Sequence, residues 1–132
     1  MFSEKSILCI LAMFFIMSGC SNNTQEANEL NVVQKISAQE LVEIQKAKPD
    51  LLILDVRTSD EISSGKIPSA ITEDFYNSSF ETNLQKLDNK RPIVVYCKSG
   101  GRSGKAAKIL EKLGFKEVYD LKGGYKSWAA NQ

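Results

Sequence analysis

Two short runs, Leu51-Leu52-Ile53-Leu54-Asp55-Val56 and Ile93-Val94-Val95-Tyr96, are apolar at almost every position. A strand with one wet face alternates apolar and polar residues, so unbroken runs describe strands buried on both faces, as in parallel sheets covered by helices. The intervening segments supply those helices. Ser37-Ala38-Gln39-Glu40 is a capping box, in which Ser37 caps the N–H three residues on and Glu40 reaches back. Leu41, Ile44 and Ala47 then repeat at helical spacing until Pro49 ends the run. Phe80, Leu84 and Leu87 mark a second amphipathic helix; Ala106, Ala107, Leu110 and Leu113 line a third, stopped by Gly114.

Shorter elements fill the gaps. Residues 31–36, the region around Ile71, and residues 116–119 read as short strands; residues 59–64 and 125–130 read as small helices, with Trp128 packing inward. There are no internal repeats. Strands and helices alternate, so the expected class is α/β, a mostly parallel central sheet flanked by helices on both faces. Ligands of such sheets bind beyond the carboxyl ends of the strands.

Cys97 stands at one such end. It leads the turn Cys97-Lys98-Ser99-Gly100-Gly101-Arg102-Ser103, between the strand ending at Tyr96 and a helix expected to open near Arg102 or Ser103. A helix start and the cations Lys98, Arg102 and Lys105 favour thiolate over thiol, and the thiolate is the nucleophile. Gly100 and Gly101 let the backbone curl so that several N–H groups face one point, an anion-binding nest. The competing description is a glycine turn whose cysteine is incidental.

The 132 residues suffice for one domain with a core and are too few for two. Seventeen Lys and Arg against 16 Asp and Glu leave a net charge of +1, which points to no nucleic acid or acidic polymer as partner. The chain has no histidine, so Cys-His and Ser-His nucleophile pairs and histidine metal sites are excluded. With no CxxC pair either, zinc and dithiol chemistry are disfavoured, and neither a metal nor another cofactor is expected. Cysteine catalysis here has to be activated by loop electrostatics.

The N-terminus reads as separate from the fold. Lys5 precedes an apolar run from Ile7 to Met17, too short for a comfortable membrane span and of the length of a signal-peptide core. Ser18-Gly19-Cys20 follows, an arrangement that resembles a bacterial lipoprotein signal, in which cleavage leaves Cys20 N-terminal and acylated. An ordinary signal peptide and an uncleaved anchor are the alternatives. The expected organisation is a lipoprotein signal peptide at 1–19, a lipidated cysteine with a polar flexible tether at 20–30, and the folded domain at 31–132. The protein is then exported and lipid-anchored to a bacterial membrane, its domain on the extracytoplasmic side. Cys9 leaves with the signal, and Cys97 remains as the one free thiol.

Four ordered motifs resemble the single-domain rhodanese-like sulfurtransferases across Val32 to Trp128. They are Asp55-Val56-Arg57; Glu61 with Gly65-Lys66-Ile67-Pro68-Ser69-Ala70-Ile71; the loop from Tyr96 to Ser103; and Gly114-Phe115 with Val118-Tyr119, Leu121 to Tyr125 and Trp128. Lys66 and Ser69 stand where the family usually has histidine and glycine. Four residues separate Cys97 from Arg102; phosphatases and arsenate reductases that resemble this fold use five, a wider cradle suited to a tetrahedral oxyanion.

The resemblance implies sulfur transfer from thiosulfate or a persulfide to a thiol or cyanide, through a persulfide on Cys97. The N–H groups from Lys98 to Ser103 are expected to hold that persulfide, and Lys98 and Arg102 to attract an anionic donor, unless Lys98 is merely a solvated edge. Asp55 reads as structural rather than as a general acid or base, and Arg57 and Glu61, four apart, have a spacing suited to an ion pair. Tyr96, Tyr125 and Trp128 read as packing. Two alternatives remain: a persulfide carrier or sulfide-binding module with negligible turnover, and an oxyanion phosphatase or arsenate reductase.

Overall fold

A computed structural model describes residues 32–132. The expected signal peptide, Cys20 and the whole of the tether therefore lie outside the described residues. Ten elements follow in strict order: β1 (Val33–Ile36), α1 (Ala38–Ala47), β2 (Leu52–Asp55), α2 (Ser59–Ile62), β3 (Ile71–Thr72), α3 (Phe80–Leu84), β4 (Ile93–Tyr96), α4 (Gly101–Lys112), β5 (Val118–Leu121) and α5 (Gly124–Ala129). The strands form one sheet in the order β1-β5-β4-β2-β3, and every pairing is parallel.

The unbroken apolar runs are buried on both faces because successive side chains alternate across the sheet. From β4, Ile93, Val95 and then Cys97 join a cluster with Phe80, Leu84, Ala106, Ala107 and Leu110, under α3 and α4. Val94 and Tyr96 point the other way, to a cluster with Ile36, Leu41, Ile53 and Leu121, against which Ile44, Tyr125 and Trp128 pack from α1 and α5. Helices thus cover both faces. Ser37 and Glu40 close the expected capping box on α1, and Thr58 and Glu61 form a second one on α2.

Several boundaries shift by one or two residues, α4 opening at Gly101 and α2 closing at Ile62 among them, and two of the differences have a plain physical reason. The last strand begins at Val118, two residues beyond the expected start, because its register pairs Val118 with both Val33 and Ile93 and leaves Lys116 and Glu117 in the preceding turn. The strand also runs on through Asp120 to Leu121, a continuation that the carboxylate hides in the sequence. Leu87 lies past the end of α3, where the chain tightens into i to i+3 turns, Lys86 to Asn83 and Leu87 to Leu84, yet still packs against the core. Ser69 takes a positive φ of 65°, a left-handed conformation at the position where glycine is usual in the resembling family.

Candidate active site

Cys97 directly follows β4 and is buried, 1% exposed. The chain turns beneath its sulfur. Gly100, at φ 114°, makes a bend that a residue with a Cβ seldom adopts, and donates its N–H to Cys97 Sγ at 3.1 Å. Gly101 takes no such strain: it opens α4 in ordinary helical space. Burial pushes the Cys97 thiol up, but the backbone N–H groups of Ser103, Gly100 and Ser99 outweigh it and hold the thiol below its ordinary value.

The loop is fixed from behind by α5. Tyr125 and Lys126 donate their N–H groups to the carbonyls of Cys97 and Lys98, at 2.8 and 3.2 Å. That approach requires Gly124, because a Cβ there would stand 2.3 Å from the Cys97 carbonyl oxygen.

The charged residues divide into two pairs. Arg57 and Asp55 are buried together: the guanidinium donates to both carboxylate oxygens, to the Glu61 carbonyl at 3.1 Å and to the Gly65 carbonyl at 2.7 Å. It also lies 4.1 Å from the centroid of the Tyr125 ring. Tyr96 donates its hydroxyl to Asp55 at 2.6 Å; burial first, and this carboxylate second, push the phenol up. Asp55 shares the Tyr96 face of the sheet, opposite Cys97, and its oxygens are fully engaged. Its role is structural.

The expected pair between Arg57 and Glu61 does not form. Asp55 is nearer and meets the Arg57 fork with two oxygens, whereas the Glu61 carboxylate turns back to cap α2 and faces Arg102. Arg102 donates to both Glu61 oxygens at 2.7 Å each, and this bond holds Glu61 down at about 2. Arg102 is therefore charge-compensated, and the exposed Lys98 is the loop cation left outside any salt bridge among the described residues.

Ser103, expected in the loop, brings with it a residue that the sequence did not single out, Asp120. Ser103, fully buried, lies 3.7 Å from Cys97 Sγ and donates its hydroxyl to Asp120 Oδ1 at 2.6 Å. Asp120 is 4% exposed and stands on β5 on the same face of the sheet as Val118, hence on the Cys97 side. The available signal was a carboxylate inside an otherwise apolar strand. Gly104 passes close by: a Cβ there would lie in ordinary contact, 3.5 Å from Asp120 Oδ2. A cavity of about 770 Å³ opens behind the loop, lined by Gly100, Gly101, Gly104 and Asp120 with Lys35 and Lys105. A smaller one of about 140 Å³ includes Arg57, Glu61, Lys98 and Tyr125; Cys97 lines neither. Among the described residues no cluster of three metal-binding side chains forms.

A family model for the rhodanese-like domain matches residues 37–131. A thiosulfate sulfurtransferase of Coxiella burnetii is 36% identical over 99 residues, 75% of this chain and 87% of that protein. A sulfurtransferase of Allochromatium vinosum is 32% identical over 98 residues, 74% of this chain and 90% of that protein. Among solved structures, a rhodanese-related protein of Thermoplasma volcanium superposes with a TM-score of 0.65 at 30% identity, over 74% of this chain and 92% of that one. The human single-domain sulfurtransferase, at 23% identity and a TM-score of 0.65 over 74% and 96%, shares the fold. With the parallel five-stranded sheet and the cysteine loop at its carboxyl edge, these matches make the chain a member of the rhodanese-like family of sulfurtransferases.

Proposed function

We propose that this protein moves sulfane sulfur from thiosulfate or a persulfide donor to a thiol or cyanide acceptor through a persulfide on Cys97. The observation that carries the reading is the sulfur of Cys97, seated at the end of β4 and met by the Gly100 N–H at 3.1 Å inside a loop of four intervening residues. In the loading step, the Cys97 thiolate attacks the outer sulfur of the donor. A new S–S bond forms, the donor S–S bond breaks, and its electron pair leaves with sulfite from thiosulfate or with the thiolate from a persulfide. In the second step the acceptor's lone pair bonds to the outer sulfur, and Cys97 recovers its thiolate. The loop N–H groups are fixed before the reaction, so they stabilise anionic sulfur without reorganising. Lys98 attracts the anionic donor, and Arg102, held by Glu61, shapes the loop.

Incubation with thiosulfate followed by intact-mass measurement tests this: a gain of one sulfur, mapped to Cys97, is the expected result. Steady-state thiocyanate formation from thiosulfate and cyanide then separates an enzyme from a carrier that loads once and does not turn over. We also propose that Cys20 carries lipid and holds the domain at an extracytoplasmic membrane surface. The support is the apolar run from Ile7 to Met17 followed by Ser18-Gly19-Cys20. No helix among the described residues is long and apolar enough to cross a membrane.

A further inference from the structure

The Ser103 hydroxyl has one proton and three neighbours that could take it: Asp120 Oδ1 at 2.6 Å, the Gly100 carbonyl at 3.2 Å and the Cys97 sulfur at 3.7 Å. The shortest contact is to a carboxylate, and a charged acceptor makes the stronger bond. The proton therefore lies toward Asp120, and an oxygen lone pair faces the sulfur. That arrangement suits a thiol, which donates its S–H to Ser103. It opposes a thiolate, which needs the hydroxyl proton for itself. Asp120 has no competing tie: it enters none of the salt bridges among the described residues, and Ser103 supplies the one hydrogen bond its carboxylate accepts among them.

We infer that Asp120 is a positioning residue for Cys97: by holding the Ser103 proton it withholds that proton from the free thiolate, and so favours the sulfur-loaded state over the free one. In the persulfide the charge has moved to the outer sulfur. The inner sulfur no longer asks for a donor, and the bond between Ser103 and Asp120 persists unopposed. The free thiolate is thereby kept more basic and more nucleophilic than the loop N–H groups alone would leave it. This inference rests on the sulfur-transfer reading above for its consequence, and on the geometry of Cys97, Ser103 and Asp120 for its cause.

The other charges around these groups are Lys98 and Arg102 on the loop side, Glu61 behind Arg102, and Lys35, Lys105, Lys108 and Glu111 lining the cavity that Asp120 borders. All of them remain in place in Asp120→Asn. The full chain is compared as wild type, Asp120→Asn, Ser103→Ala and the double variant, with the rate of Cys97 alkylation followed against pH at the Cys97 peptide.

The wild-type midpoint lies below the free-cysteine value of about 8.5. In Asp120→Asn it falls further, by about one unit, a tenfold change in thiolate at a given pH. In the Ser103→Ala background the same substitution produces no comparable fall. An unchanged or raised midpoint in Asp120→Asn overturns the inference. An equal fall without the hydroxyl also overturns it, since Asp120 would then act by charge alone. Asp120→Ser, smaller and uncharged, repeats the test should asparagine fit poorly. At a pH above both midpoints and a fixed ratio of thiosulfate to sulfite, the ratio of loaded to free Cys97 drops about tenfold in Asp120→Asn. A wild-type chain that takes no sulfur from thiosulfate overturns the donor reading, whereas the alkylation midpoints decide the role of Asp120 by themselves.

Discussion

Cys97 meets opposed demands: burial that disfavours charge, and a ring of N–H groups that require it. The loop resolves the conflict with backbone donors, which suits a chain without histidine. Cys97→Ser keeps the shape of the side chain and removes the accessible anion. Sulfur transfer is expected to fall below about one per cent of wild type, as loss of a covalent nucleophile ordinarily demands, with the circular dichroism spectrum unchanged. Ser69 illustrates a residue held against its preference, at φ 65°. Ser69→Gly removes the clash of a Cβ in left-handed space and adds backbone freedom to the unfolded chain; the first effect is larger. The variant is expected to gain about 0.5–1 kcal/mol, read as a rise in thermal midpoint of a few degrees.

At the scale of elements, Glu61 fastens α2 to α4. Its carboxylate receives the Thr58 N–H within the capping box and both outer nitrogens of Arg102. Glu61 titrates at about 2 in the folded chain against an ordinary 4.5. Its contribution is therefore complete above pH 4.5 and disappears as the pH falls toward 2. Glu61→Gln is expected to cost about 1 kcal/mol at neutral pH, because the pair is partly exposed and screened, and to flatten the acid limb of stability over that window. Urea midpoints measured from neutral pH to pH 2 check both.

The contrast between what was legible and what was not is also clearest here. The buried strands, the capping box at Ser37 and the strand–loop–helix around Cys97 depend on neighbours within a turn or two, and such patterns are written locally. Glu61 and Arg102 are 41 positions apart, and Ser103 and Asp120 are 17 apart. Only the packing of β5 beside β4 and of α2 beside the loop brings those pairs together. Spacing alone matched Arg57 to Glu61, and a nearer carboxylate at Asp55 won.

For the molecule as a whole, the proposed anchor and the catalytic domain are chemically distinct units joined by a polar segment. Cys20→Ala is expected to abolish acyl labelling and detergent partitioning of the processed protein, while residues 21–132 alone turn over thiosulfate. Activity that needs the lipid would join what the proposal separates. The sheet order carries a different consequence. Among the described residues β1 pairs only with β5, and β5, the last strand, lies between β1 and β4. The carbonyls of Cys97 and Lys98 likewise wait for Tyr125 and Lys126. As the chain is synthesised, β1 has no seat and the nucleophile no finished cradle until residue 126 has emerged. Chemical competence is thus expected to arrive together with the completed fold, and a chain ended before Tyr125 to show a Cys97 alkylation midpoint nearer that of an ordinary thiol.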